Sequence, residues 1–161
     1  MNELSKSIHI LNELLINTFN DILEIEQKSL KSGIFKDLSV NEIHTIEAVG
    51  MNKPKSMTQV ASELYITLST LTTSINHLVK KGYVERNRSQ KDRRVVYIKL
   101  TQKGRLAYKI HQEFHSDMIN ATIKGITEEE KKILIKSLKK LNRFFKLRHD
   151  LRNNSKENDD E

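Results

Sequence analysis

Two short β-rich runs interrupt a chain whose periodicity is otherwise helical. Tyr83 to Arg88 is the first, and Val95 to Leu100, rich in β-branched and aromatic residues, is the second. Ser89 to Arg94 connects them with a polar, basic turn. Immediately before this hairpin stand two short helical stretches. Thr58 to about Tyr65 carries Val60, Ala61 and Leu64 inward, and Leu68 to Lys81 places Leu71, Ile75 and Leu78 on one face. The break at Ile66-Thr67 makes the pair a helix-turn-helix, and a hairpin beside it is a wing. The expected fold class is therefore mainly α with a small β-hairpin wing, a winged helix-turn-helix.

The flanks are long helices. Met1 to about Ser32 has Ile8, Leu11, Leu15, Phe19 and Ile22 on a stripe and ends at Gly33 as a cap. A second helix opens after Ser39, which stands three residues before Glu42 in capping-box spacing, and stops at Gly50. Met51 to Lys55, with the single proline, reads as a loop. A fifth helix spans about Thr101 to Lys124, with Leu106, Ile110, Phe114 and Met118 or Ile119 on its stripe. Thr127 caps the last helix, which carries Glu128 to Glu130 in its first turn, where the helix dipole favours acids. The expected organisation is residues 1–50 as N-terminal dimerisation helices, 51–100 as a DNA-binding domain, 101–150 as C-terminal dimerisation helices, and 151–161 as a disordered tail.

Charge is concentrated beside the hairpin. From Lys80 to Arg105 stand ten lysines and arginines against Glu85 and Asp92, so this stretch holds all of the chain's net +7. A basic stripe so placed points to a polyanion. The outer face of the fourth helix is polar and short, and Tyr65 to Tyr83 contains no acid. Such a face suits the major groove, where a carboxylate would meet phosphates. The expected DNA contacts are Gln59, Thr67, Ser69, Thr70, Thr72, Thr73, Asn76, His77 and Lys80, joined by Arg86, Arg88, Asp92, Arg93 and Arg94 of the wing. Asp92 pairs with one arginine and leaves another for a narrow minor groove.

The chain has no cysteine, which excludes disulfides and thiolate metal sites. It shows no signal peptide and no apolar run near the ~18 residues that span a bilayer, so no membrane partner and a cytoplasmic location are expected. No phosphate loop, nucleophile elbow or catalytic triad spacing is present, and catalysis is not expected.

The run Ser89-Gln90-Lys91-Asp92-Arg93-Arg94-Val95-Val96-Tyr97-Ile98-Lys99-Leu100-Thr101 resembles the wing signature of MarR-type regulators, and the order of helices matches that family over nearly the whole chain. The resemblance implies a homodimer, interlocked through its first, fifth and sixth helices, on a pseudo-palindromic site in double-stranded DNA. It also places the minor-groove arginine on Arg94, with Arg93 its neighbour, and the wing aspartate on Asp92.

Three further strings, Phe35 to Ser39, Glu42 to Ile46 and Ile66 to Ser74, are similar to the fatty-acid-synthesis repressors of Gram-positive cocci. That branch implies repression of fatty-acid-synthesis genes, with no cofactor but with an acyl group on acyl carrier protein as corepressor. Phe19, Leu23, Phe35, His44, Ile46, Ile110 and Phe114 would line the acyl pocket, and Lys28, Lys31, Lys36 and Lys109 would meet the acidic carrier. Read from the residues alone, the apolar ones are simply core and the lysines solvated surface. The alternative signal is zinc, as in a zinc-responsive regulator of metal uptake. His111 and His115 share a helix face, and with His44 and Glu24 they resemble the donor set of the family's zinc-sensing branch; Glu26 lies near Glu24 on the same helix.

Overall fold

A computed structural model of the chain describes residues 2–88 and 95–157, with side chains as far as residue 149. Residues 1–111 and 112–161 form two separate compact units, the division falling within a helix.

The first unit begins with α1 (Glu3–Ser32), capped by the Asn2 side chain accepting from the Ser5 N–H at 2.8 Å. Gly33 ends it, with extended rather than left-handed backbone (φ −90°). In α2 (Val40–Val49) the predicted capping box is present: Glu42 N–H donates to Ser39 Oγ at 3.2 Å, and Ser39 N–H to Glu42 Oε2 at 2.9 Å. Gly50 follows with φ +70°, which suits glycine. A second capping box, between Ser56 and Gln59, starts α3 (Met57–Glu63). The chain turns through Tyr65, at φ 55° the one positive-φ residue other than glycine among those described, and enters α4 (Leu68–Lys80).

Strands β2 (Val84–Arg88) and β3 (Val96–Leu100) form the antiparallel hairpin with Val84 opposite Leu100 and Arg88 opposite Val96. The stretch read as a loop contributes a third strand, β1 (Lys55–Ser56), paired to Ile98 and Tyr97. Two residues carry no periodicity; β3 supplies the pairing that makes them a strand. The sheet order is β1-β3-β2.

The core lies between α2, α3, α4 and this sheet. Ile46, Val60, Leu71, Ile75, Leu78, Tyr83 and Ile98 are completely buried there. The apolar stripe of α1 behaves differently. Ile8, Leu11 and Phe19 are each more than half exposed, and Glu26 is the buried residue of the helix.

The start of α5 (Gln102–Thr122) corrects the expected stripe. Gly104, Ala107 and His111 face inward, while Leu106 and Ile110 remain exposed. Backbone approach decides this: a Cβ on Gly104 would sit 2.0 Å from the Tyr83 carbonyl oxygen, so only glycine lets the helix pack this close.

The second unit contains the rest of α5 and α6 (Glu128–Glu157), joined through Gly125 at φ +91°. Thr127 caps α6 reciprocally with Glu130. Ile133, Leu138, Phe144 and Phe145 are exposed. The helix runs past residue 150, where the sequence placed its end, because the polar residues that follow include no glycine or proline and extending an established helix is inexpensive.

Candidate DNA interface and a buried acid–histidine cluster

Thr67 caps α4, its hydroxyl accepting from the Thr70 N–H at 3.1 Å and meeting Thr70 Oγ1 at 2.8 Å. Leu71, Ile75 and Leu78 turn into the core, which leaves Ser69, Thr70, Thr73, Asn76, His77 and Lys80 exposed on the opposite side. Thr72 is half-buried and donates to the Leu68 carbonyl at 2.7 Å. Ser74 Oγ faces Thr45 Oγ1 of α2 at 3.1 Å, a hydroxyl pair that helps hold the exposed face outward. Gln59 was expected on DNA. Its side-chain oxygen is engaged with the Ser56 N–H at 2.8 Å, so its first task is to start α3.

On β2 the charges are sorted by face. Val84 is buried, and Arg86 and Arg88 follow at two-residue spacing on the same side. Glu85 points the other way and pairs with Lys99 of β3 at 2.9 Å. The predicted wing-tip residues Asp92, Arg93 and Arg94 lie outside the described residues.

A polar clasp fixes the base of the hairpin. Lys81, just after α4, reaches Glu42 at 2.8 Å and the Asp37 carbonyl. Tyr83 donates its hydroxyl to Asp37 Oδ1 at 2.7 Å, and Lys103 lies 4.0 Å over the Tyr83 ring. Thr101 Oγ1 donates to the Gly82 carbonyl at 2.7 Å. Desolvation opposes ionisation of Glu42, but the Lys81 ammonium and the Ser39 backbone N–H outweigh it and hold the carboxyl below its ordinary range. Desolvation likewise opposes ionisation of Asp37, and the Tyr83 hydroxyl with Lys103 overcomes it. Burial, reinforced by Asp37, pushes the Tyr83 phenol well up. No local pattern in the sequence announces this clasp, because its members are scattered from residue 37 to 103.

The first unit also buries an acid among histidines. Glu26, 2% exposed on α1, has its Oε1 3.2 Å from His44 Nε2 and 3.6 Å from His111 Nε2. Glu47 of α2 lies 3.7 Å from the same His111 nitrogen. The ligand atoms of Glu26, His44 and His111 all lie within 4.8 Å of one another. A carboxylate and two imidazole nitrogens at this spacing fit three of the donors of a tetrahedral transition-metal site. The expected Glu24 is not part of it. Two residues rotate a helix by about 200°, and Glu24 is exposed and paired with Lys28. The half-buried Ile22 and Leu30, four residues either side of Glu26, mark the inward face and were the available signal. His115 stands one turn beyond His111 on α5, in the second unit.

The residues expected to line an acyl pocket fall in different surroundings within the single chain. Phe35 and Ile46 are consumed by the core, Phe35 packing edge-on against Tyr83 with ring centroids 5.9 Å apart. Phe19, Leu23 and Ile110 lie on exposed surface, His44 belongs to the acid–histidine cluster, and Phe114 lies in the second unit.

Paired short helices, an acid-free polar face on the second, and an adjoining hairpin define a winged helix-turn-helix protein of the DNA-binding class. Residues 36–95 match the MarR family model. The crystal structure of Streptococcus pneumoniae FabT in complex with DNA is 44% identical, with a TM-score of 0.83, and the match covers 86% of this chain and 97% of that one. The Bacillus subtilis HTH-type transcriptional regulator YwhA, itself uncharacterised, is 35% identical over 82 residues, 51% of this chain and 59% of its own length. This chain thus spans little more than half of that relative. A mutant MarR from E. coli, solved in complex with operator DNA, shares the fold at 24% identity and TM-score 0.68, over 87% of this chain and 99% of that one. The chain belongs to the MarR family. The curated relatives it matches are HTH-type transcriptional regulators. Among the described residues no helix is long and apolar enough to cross a membrane.

Proposed function

We propose that this chain is a dimeric, sequence-specific transcriptional repressor of fatty-acid-synthesis genes, with an acyl group on acyl carrier protein as its corepressor. The observation that carries the reading is the exposed, acid-free face of α4 beside Arg86 and Arg88, in a chain 44% identical to a FabT solved on DNA. Dimerisation is supported by exposed apolar side chains on α1 in one unit and on α6 in the other, surfaces that call for a partner. Two recognition helices then stand about 34 Å apart on successive major grooves of a pseudo-palindromic operator. Mass spectrometry of the natively purified protein, followed by a footprint on fatty-acid-synthesis promoters with and without acyl carrier protein loaded with a long-chain acyl group, tests this. Protection that tightens with the loaded carrier supports it. No promoter protection, or indifference to the acyl group, removes it.

A second reading is favoured by the Glu26, His44 and His111 cluster: a zinc-responsive regulator of metal uptake. Zinc titration of the metal-free dimer distinguishes the two. Stoichiometric binding that changes DNA affinity supports the metal signal, and no bound zinc eliminates it.

A further inference from the structure

From Lys131 to Arg148, helix α6 carries eight lysines and arginines and no acid. Their spacing sorts them. Lys132, Lys136, Lys139, Arg143 and Lys146 recur at steps of four and three residues, so they form one row along the helix, about 21 Å long at the helical rise. All of them are exposed. Leu134, Leu138, Leu141 and Phe145 recur at the same steps on the opposite side. Lys131 pairs with Glu128 at 2.8 Å, but no member of the row has a carboxylate partner among the described residues.

Like charges one turn apart destabilise a helix. Solubility alone would be served as well by mixed signs, as in the Glu24–Lys28 pair of α1. The uninterrupted row therefore points to an anionic partner, and its margins decide which kind. Ile135 and Leu147, 53% and 57% exposed, flank the row on either side. A phosphate strand gains nothing from apolar margins, and a duplex winds away from a straight row. A lipid surface would draw in the stripe from Leu134 to Phe145, the face that a second copy covers in the proposed dimer. A helix of another protein, with acids every three or four residues, has the same turn spacing as the row. Its own apolar flanks would pack on Ile135 and Leu147.

We infer that the basic row of α6 seats an acidic helix of a partner protein. The inference rests on the proposed function above, in which that partner is the acidic carrier bearing the acyl group. It moves the carrier's docking surface to α6 from Lys28, Lys31, Lys36 and Lys109, of which Lys28 is already paired with Glu24.

The test measures binding of the full-length protein to acyl carrier protein loaded with a long-chain acyl group, at one fixed salt concentration. A mixed-sequence duplex and phosphatidylglycerol vesicles serve as parallel probes. The triple variant Lys136→Glu, Lys139→Glu, Arg143→Glu should weaken carrier binding at least about tenfold. Glutamine at the same three positions removes the charge without reversing it, and should give a smaller loss in the same direction. The triple variant Lys28→Glu, Lys31→Glu, Lys36→Glu changes net charge equally and should bind the carrier as the wild type does. All six positions are exposed, so the unfolding midpoints should stay near the wild-type value. Wild-type carrier affinity in the α6 variants, or an equal or greater loss in the Lys28 triple, would overturn the inference and leave the corepressor reading standing. A loss of duplex or vesicle binding with carrier binding unchanged would overturn it as well, and would assign the row to that polyanion. Should the wild-type protein bind no carrier, loaded or unloaded, the corepressor reading falls and the inference with it.

Discussion

The Tyr83 hydroxyl donates to Asp37 Oδ1 across 2.7 Å, and this bond ties the first residue of the wing to the loop between α1 and α2. Tyr83 is completely buried and lies under Lys103 of α5. One side chain thus connects the start of the basic hairpin with the α1–α2 loop and with α5. Tyr83→Phe removes the donor and leaves a partly desolvated carboxylate behind. A loss of about 1–3 kcal/mol is expected, read as a lower urea midpoint with unchanged m-value. An unchanged midpoint would mean that water replaces the hydroxyl at no cost.

The same clasp sets a pH window for stability. Glu42 and Asp37 are held below their ordinary values of 4.5 and 3.8, so their contribution is full above those values and is lost as pH falls through the lower folded-state ones. The Tyr83 phenol is raised from 10.0, so its contribution is full below pH 10.0 and fades as pH rises through the higher folded-state value. Chemical denaturation across pH should show a plateau between these limits. In Glu42→Gln the acid limb should flatten, and the alkaline limb should persist.

Gly104→Ala is the most severe small substitution expected in the first unit. Its Cβ would come to 2.0 Å from the Tyr83 carbonyl oxygen, a backbone atom with little room to move. Overpacking of this kind costs about 1–3 kcal/mol or more. The thermal midpoint should drop accordingly, and operator affinity should fall with it, because the displaced strand is the one that carries Arg86. Gly82→Ala gives a useful contrast. Nothing lies within 4 Å of the added carbon, so its cost comes from the left-handed backbone at φ +79° alone.

On α4, Asn76→Ala and Lys80→Gln should separate two kinds of contact. Both residues are exposed and neither supports the core. Asn76 has the donor–acceptor pair suited to adenine, so its loss should cost about 1–3 kcal/mol on a duplex selected by the wild-type protein from a randomised pool and leave binding to a mixed-sequence duplex intact. In the proposed docking Lys80 would meet phosphate, so its loss should weaken binding to a selected and a mixed-sequence duplex alike. The reverse pattern in competition binding would show that the helix docks in another orientation.

Much of this architecture was legible because its determinants are local. Ser39 and Glu42 announce the start of α2 within four residues, and the inward Leu71, Ile75 and Leu78 of α4 imply its outward hydroxyls by periodicity alone. The β-rich content of residues 95–100 identified β3 for the same reason. Misreadings occurred where a neighbour outside the local window decided. Helix α5 presents Gly104, Ala107 and His111 rather than Leu106 and Ile110, because close approach to the Tyr83 backbone outweighs side-chain hydropathy. Lys55 and Ser56 became a strand because β3 was there to pair with.

The sequence by itself determined the winged helix-turn-helix, its family and the site of its excess positive charge, since periodicity, capping and charge are properties of neighbouring residues. Only the tertiary structure decided which polar groups share a site. It put Glu26, not Glu24, beside His44 and His111, joined Tyr83 to Asp37, and turned Arg86 and Arg88 toward α4 while sending Glu85 to the opposite face. The physical reason is common to all three. A charged or hydrogen-bonding side chain takes its role from the partner that desolvation forces it to find, and in this fold those partners lie on other elements.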